Sequence, residues 1–239
     1  MTITVALTRE PPRNDSLADA LRQRCLVTEV ALTSTMFRSP REVTLELASL
    51  ENFGTYVSVI LTSARAASYV VTALDGATAD ASLIVVGPDT ATSVRNGDVD
   101  VTAHCIVVPD VHSALGVASL IDHGPVLILS AENPRAELTD TLRERRVEFD
   151  SVVVYSTVER QLSKIEQQQL ATADIVVISA PSAWRVASKF VSVACDVVTT
   201  GPTTLSTVQA EHPNVTNAQD RELSDVICEL IDARRANQS

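Results

Sequence analysis

The chain carries one segment twice, and the two copies run in the same order across its two halves. Val5-Ala6-Leu7-Thr8-Arg9-Glu10, with Leu17 and Leu21 downstream, is echoed by Leu127-Ile128-Leu129-Ser130-Ala131-Glu132, with Leu138 and Leu142. Val30-Ala31-Leu32-Thr33-Ser34-Thr35 is echoed by Val152-Val153-Val154-Tyr155-Ser156-Thr157. Leu61-Thr62-Ser63-Ala64 matches Ile178-Ser179-Ala180-Pro181-Ser182, and Gly87-Pro88-Asp89-Thr90 matches Gly201-Pro202-Thr203-Thr204. Four matches in one order point to an internal duplication. Two similar α/β units imply a pseudo-symmetric cleft between them, and such clefts are where small ligands are preferentially held.

Short Val/Ile-rich runs alternate with segments of helical spacing, the pattern of βα units and parallel sheets. Strands are expected at 3–7, 27–32, 57–61, 83–86, 126–129, 151–155, 175–178 and 197–199, with weaker ones near 102–107 and 215–217. Helices are expected over 16–24, 65–74, 90–95, 113–121, 135–145, 162–171, 183–191, 204–210 and 222–233. The apolar content of 45% with only 3% aromatics suits helix-covered parallel sheets and gives no stacking platform for nucleic acid. A net charge of −11 without a basic stripe also argues against a polyanion groove. The 239 residues suffice for one large or two small domains.

The duplication allows two partitions. If the polar crossovers Thr33-Ser34-Thr35 and Tyr155-Ser156-Thr157 are linkers, the halves exchange strands. One domain is then 1–32 plus 158–239 and the other 36–150, joined by linker strands at 33–35 and 151–157. A side-by-side pair broken near His123-Gly124-Pro125 is the competing arrangement.

Gly87-Pro88-Asp89-Thr90 and Gly201-Pro202-Thr203-Thr204 each follow a strand and open a helix. Glycine permits close approach, proline suits the first helical turn, and the exposed amides and helix dipole attract carboxylates. Ser63 and Ser182 sit beside similar turns. No GxGxxG, GxxxxGK[ST] or GxSxG pattern is present, so dinucleotide, P-loop and serine-hydrolase readings lose their support. Cys25, Cys105, Cys195 and Cys228 lack metal-ligand spacing and read as reduced, mostly buried thiols. His112, His123 and His212 read as surface or capping residues. With no leader-like or membrane-length apolar run, a soluble cytoplasmic protein is expected.

The ordered motifs resemble the uroporphyrinogen-III synthase family through most of the chain. Leu7-Thr8-Arg9 is similar to that family's opening motif, and Leu61-Thr62-Ser63-Ala64 to its first Thr-Ser turn. Val86-Gly87-Pro88-Asp89-Thr90-Ala91 resembles its Val-Gly-x-x-Thr-Ala turn, and Val154-Tyr155-Ser156-Thr157 its Tyr-x-Thr crossover. Ser179-Ala180-Pro181-Ser182 and Gly201-Pro202-Thr203-Thr204 resemble its second Ser-rich turn and its closing turn. Arg65 stands where the family often has Asn, Arg24-Cys25 and His212-Pro213 stand where it usually has Gly, and Ala180 interrupts the usual Ser-Pro-Ser.

The resemblance implies two Rossmann- or flavodoxin-like domains joined by a two-stranded linker, with the chain ends sharing a domain. It also implies a cofactor-free, metal-free lyase that closes hydroxymethylbilane with inversion of the terminal pyrrole and loss of water. On that reading Tyr155 donates a proton to the leaving hydroxyl. Arg9, Thr62, Ser63, Arg65, Gly87, Thr90, Ser179, Ser182, Gly201, Thr203 and Thr204 position the substrate. A monomer is expected, with the linear tetrapyrrole as partner and neither nucleic acid nor membrane. A non-catalytic two-lobed ligand-binding protein of the same fold is the alternative.

Overall fold

The computed structural model describes residues 2–11, 13–96, 106–111, 113–134, 136–219 and 221–237. In chain order the first half gives β1 (Thr4–Leu7), α1 (Asp15–Arg22), β2 (Leu26–Glu29), β3 (Thr33–Phe37), α2 (Pro40–Ala48) and β4 (Tyr56–Leu61). A 3-10 turn (Ala64–Tyr69) then runs into α3 (Val70–Leu74), followed by β5 (Ala77–Val85), α4 (Pro88–Arg95), β6 (Ile106–Val107) and α5 (Ala114–Ser119). The second half gives β7 (Val126–Ala131), α6 (Glu137–Glu144), β8 (Phe149–Glu159), α7 (Lys164–Ala171) and β9 (Ile175–Ile178). It ends with α8 (Pro181–Ala187), β10 (Asp196–Thr199), α9 (Pro202–Gln209), β11 (Val215–Asn217) and α10 (Leu223–Ala236).

The chain forms two compact units, one of Met1–Ser34 with Val158–Ser239 and one of Thr35–Thr157. Each unit holds a sheet, ordered β11-β10-β9-β1-β2 in the first and β3-β8-β7-β4-β5-β6 in the second. The pairings of β1, β2, β9, β10 and β11 are parallel, as are those of β4 through β8 that follow β3. Each sheet therefore takes strands from both halves of the duplicated sequence. The repeat equates β1 with β7, β2 with β8, β4 with β9 and β5 with β10, so the two sheets have the same spatial order. Chain order reverses between β1 and β9 in one sheet and between β7 and β4 in the other. In open parallel sheets, ligands bind outside the carboxyl ends of the strands at such reversals.

Successive side chains of a strand point to opposite faces, so a strand covered on both sides is apolar throughout. Val5 and Leu7 enter a cluster with Ala18, Leu21, Ile227 and Ile231, while Ala6 enters one with Trp184, Ala187 and Val208. In the second unit Leu127 and Leu129 pack with Val59 and Leu61, and Ile128 packs oppositely with Ile60, Leu138 and Leu142. At about 1.5–3 kcal/mol for each fully buried large aliphatic, these clusters fix the strand register.

The amino ends of the strands are tied by paired polar groups. Arg234 of α10 meets Asp196 at 2.6 Å and Asp174 at 3.4 Å, and Asp174 also accepts the Thr4 amide at 2.8 Å. In the second unit the Tyr56 hydroxyl donates to Asp150 at 2.7 Å, and Asn52 donates to Asp150 at 3.1 Å and to Glu148 at 3.0 Å. Burial, then the bond to Asp150, pushes the Tyr56 phenol up from its ordinary value.

Several elements differ from the sequence expectation. α2 lies outside the expected helices, yet Ser39-Pro40-Arg41-Glu42 forms a capping box, with Glu42 accepting the Ser39 amide at 3.3 Å and proline in the first turn. β5 begins at Ala77 rather than Leu83, because its first half is a partly exposed strand whose Thr78 and Asp80 hide the apolar pattern. The stretch from 65 is a 3-10 turn before it becomes helical. His212 is not on the surface. It is 7% exposed, its Nε2 lies 2.8 Å from the Cys195 carbonyl, and its ring packs edge-on against Trp184. His104, Cys105, His112 and most of the weak strand near 102–107 lie outside the described residues.

Candidate active site

At the carboxyl edge of the first unit, β1 runs into Thr8 and Arg9, and its neighbour β9 runs into Ser179. Thr8 is buried and its hydroxyl donates to the Val177 carbonyl at 2.5 Å, which ties the two strand ends together. Arg9 Nε donates to Ser179 Oγ at 2.8 Å, and the buried Asn14 amide holds the Arg9 carbonyl at 2.8 Å. Burial lowers the pKa of the Arg9 guanidinium, but an arginine stays charged at neutral pH. Neither Thr8 nor Asn14 is among the expected site residues. The signal for Asn14 is its place just ahead of the first helical pattern.

The corresponding edge of the second unit is built differently. Thr62 follows β4, and its hydroxyl donates to the Leu129 carbonyl at 3.4 Å. Ser63 accepts the Arg65 amide at 3.3 Å and so caps the 3-10 turn. The turn aims the Arg65 guanidinium at the Tyr155 ring, with its central carbon 5.5 Å from the ring centroid. Phe37 of β3 stands against the same ring, 6.4 Å between centroids at 54°. Tyr155 is 5% exposed and pairs with Ala131 at the end of β7, beyond a register shift. Among the described residues its hydroxyl has no hydrogen-bond partner. Sequence reasoning misses Phe37 because its role depends on pairing between β3 and β8.

The two Gly-Pro turns repeat each other in conformation. Gly87 (φ −171°, ψ 174°) caps α4 and Gly201 (φ −171°, ψ 165°) caps α9, each with proline next. Such extended backbone suits any residue, and a Cβ on Gly201 would meet nothing within 4 Å. The fold itself therefore does not require glycine at 201. Neither glycine supplies a side-chain cap, whereas Ser113 of α5 and Ser163 of α7 each accept an amide. Thr90 and Thr204, third residues of their helices, are each 4% exposed, and their hydroxyls have no partner among the described residues. Thr203 is exposed in the first turn of α9, and its carbonyl accepts the Ser206 and Thr207 hydroxyls. Ser182 is half-buried in the first turn of α8.

Arg9 and Arg65 differ from the other half-buried arginines in their charge partners. The half-buried arginines Arg38, Arg160 and Arg234 are paired with Glu46, Glu166 and the Asp174/Asp196 couple. Arg9 and Arg65 are also half-buried, yet neither has a carboxylate partner among the described residues. A partly desolvated cation without a counter-charge favours an anionic ligand. Among the described residues no group of three or more His, Cys, Asp and Glu is placed to hold a metal ion, and no helix is long and apolar enough to cross a membrane.

Comparison with known proteins agrees with this architecture. The uroporphyrinogen-III synthetase of Helicobacter pylori is 16% identical, with 100% of both chains covered and a TM-score of 0.62. A mutant uroporphyrinogen III synthase of Thermus thermophilus is 12% identical, covering 98% of this chain and 99% of that one, with a TM-score of 0.60. At these identities the likeness carries the fold. No curated protein sequence matches the chain. The family model described as uroporphyrinogen-III synthase HemD matches residues 15–227, nearly the whole length. The chain belongs to the uroporphyrinogen-III synthase family.

Proposed function

We propose that the chain is a cofactor-free hydro-lyase, acting as a cytoplasmic monomer, that converts linear hydroxymethylbilane to uroporphyrinogen III. The substrate is flexible, carries many carboxylates and closes spontaneously without inversion. The catalyst must therefore hold its two ends in one relative geometry, and such positioning is worth up to about 7–11 kcal/mol. The observation that carries the reading is the pair Arg9 and Arg65. Each follows a strand at the chain-order reversal of its own sheet, and neither is neutralised by an acid among the described residues.

On this reading Arg9, with Ser179, and Arg65 bind substrate carboxylates. A hydrogen bond to a charged group is worth about 1.5–3 kcal/mol. The uncapped first turns of α4 and α9, with Gly87, Thr90, Gly201, Thr203 and Thr204, hold further carboxylates, as do Thr62, Ser63 and Ser182. An acidic protein thereby grips a polyacid through local cations and backbone amides. Tyr155 presents its hydroxyl to the terminal hydroxyl of the substrate and donates the proton with which it leaves as water.

The test is to incubate freshly made hydroxymethylbilane with the purified chain and separate the oxidised isomers. The III isomer should dominate and rise with protein concentration. The I isomer alone at every concentration would overturn the proposal.

A further inference from the structure

At the opposite, amino end of the first sheet, α10 lies against the segment that joins α1 to β2. Cys228, Asp232 and Arg235 recur at i, i+4 and i+7 and so share one face of α10. That face is fastened to the segment from both sides: Arg24 donates to Asp232 at 2.7 and 2.9 Å, and Arg235 donates to the Arg24 carbonyl at 2.5 Å. The Arg24 carbonyl belongs to the peptide leading directly into Cys25. Cys25 turns its sulfur toward the end of α1, at 3.4 Å from the Leu21 carbonyl, and Leu21 and Ile231 belong to one apolar cluster. Cys25 and Cys228 both pack, half-buried and unoxidised, against that same cluster.

We infer that Cys25 and Cys228 form a reversible disulfide that fastens α10 to the α1–β2 junction. Burial first, then Cys228, raises the pKa of Cys25, and the Arg235 and Arg24 cations oppose that rise. Arg24 is held in its charged form first by Asp232 and next by the Cys228 sulfur, which places its guanidinium beside both. The oxidant is a low-molecular-weight disulfide such as glutathione disulfide. The Cys228 thiolate attacks one of its sulfurs and expels one thiolate. The Cys25 thiolate then attacks the Cys228 sulfur of the mixed disulfide and expels the second. The protein sulfurs lose two electrons, the external disulfide gains them, and the two thiol protons pass to the departing thiolates. The bridge closes a loop of roughly 200 residues, so the unfolded chain is constrained far more than the folded one. It lies at the strand end remote from Arg9 and Thr204.

The test uses the whole chain incubated with glutathione disulfide, alkylated, and digested without reduction. One cross-linked peptide pair containing Cys25 and Cys228 is expected, together with a melting temperature roughly 4–15 °C above that of the reduced protein. Dithiothreitol should reverse both changes. Cys25→Ser and Cys228→Ser should each abolish the cross-link and the shift. Mixed glutathione adducts alone, or a bridge involving Cys105 or Cys195 instead, would overturn the inference, and the wild-type map reads this even if a variant folds poorly.

Discussion

Within each unit the two ends of the sheet treat polar groups in opposite ways. At the amino end Arg234, Asp174 and Asp196 neutralise one another, and Tyr56, Asn52 and Asp150 close a hydrogen-bonded set. At the carboxyl end Arg9 and Arg65 have no carboxylate, and the Tyr155, Thr90 and Thr204 hydroxyls have no partner, all among the described residues. On the proposed function the amino end serves the fold and the carboxyl end receives the substrate. A second contrast lies between the carboxyl ends themselves. Arg9 is tethered by the Ser179 hydroxyl, whereas Arg65 faces a phenol.

The sharpest way to break the second contrast is Tyr155→Phe, which keeps the ring under Arg65 and removes the donor. A general acid contributes about 10²–10⁴-fold, so kcat should fall by about 10²-fold or more with the melting temperature nearly unchanged. Unchanged turnover would mean that the ring only packs, leaving geometric control of the substrate as the mechanism.

Removing either cation tests the first contrast. Arg9→Ala and Arg65→Ala should each lower kcat/KM by roughly 10- to 100-fold, the loss of one charge-assisted contact. If Arg65 acts only by orienting Tyr155, its variant will lower kcat with KM unchanged. A rise in KM identifies it as a carboxylate ligand.

Thr90→Ala and Thr204→Ala remove uncharged donors from pseudo-equivalent turns. A few-fold loss each is expected, about 0.5–1.5 kcal/mol, and effects of similar size would support matched roles in the two units. The smallest effect on folding belongs to Gly201→Ala, whose Cβ meets no neighbour within 4 Å. Stability should drop by about 1 kcal/mol or less, as for an alanine at a helix N-cap. A larger loss in kcat/KM would show that the ligand approaches this backbone, and equal small losses would make the glycine a turn residue only.

Much of the fold is legible because buried parallel strands write themselves as apolar runs: Ile175–Ile178 falls where its pattern places it, and β7 begins at Val126 as expected. α2 escapes a reading of apolar spacing because its Ser39–Glu42 capping box is a start signal rather than a periodic one. The Gly-Pro turns announce themselves locally, since strand, glycine, proline and threonine are consecutive. What joins them is not visible in the sequence. Arg9 meets Ser179 across 170 positions, through the parallel pairing of β1 with β9. Arg65 reaches Tyr155 through the order β8-β7-β4. Thr8 and Asn14 support Arg9 through bonds to backbone carbonyls, which no side-chain pattern encodes.

On the proposed function Arg9 and Arg65 at the carboxyl edges serve the substrate, whereas Arg234, paired at the amino edge, serves the fold. The most direct test of this division is to measure kcat/KM per folded molecule and melting temperature side by side for Arg9→Ala and Arg234→Ala. Arg9→Ala should lose about 10- to 100-fold in kcat/KM with little change in melting temperature. Arg234→Ala, which strands Asp174 and Asp196, should lower the melting temperature by roughly 2–10 °C and keep kcat/KM. Loss of stability without loss of catalysis in Arg9→Ala would contradict the account.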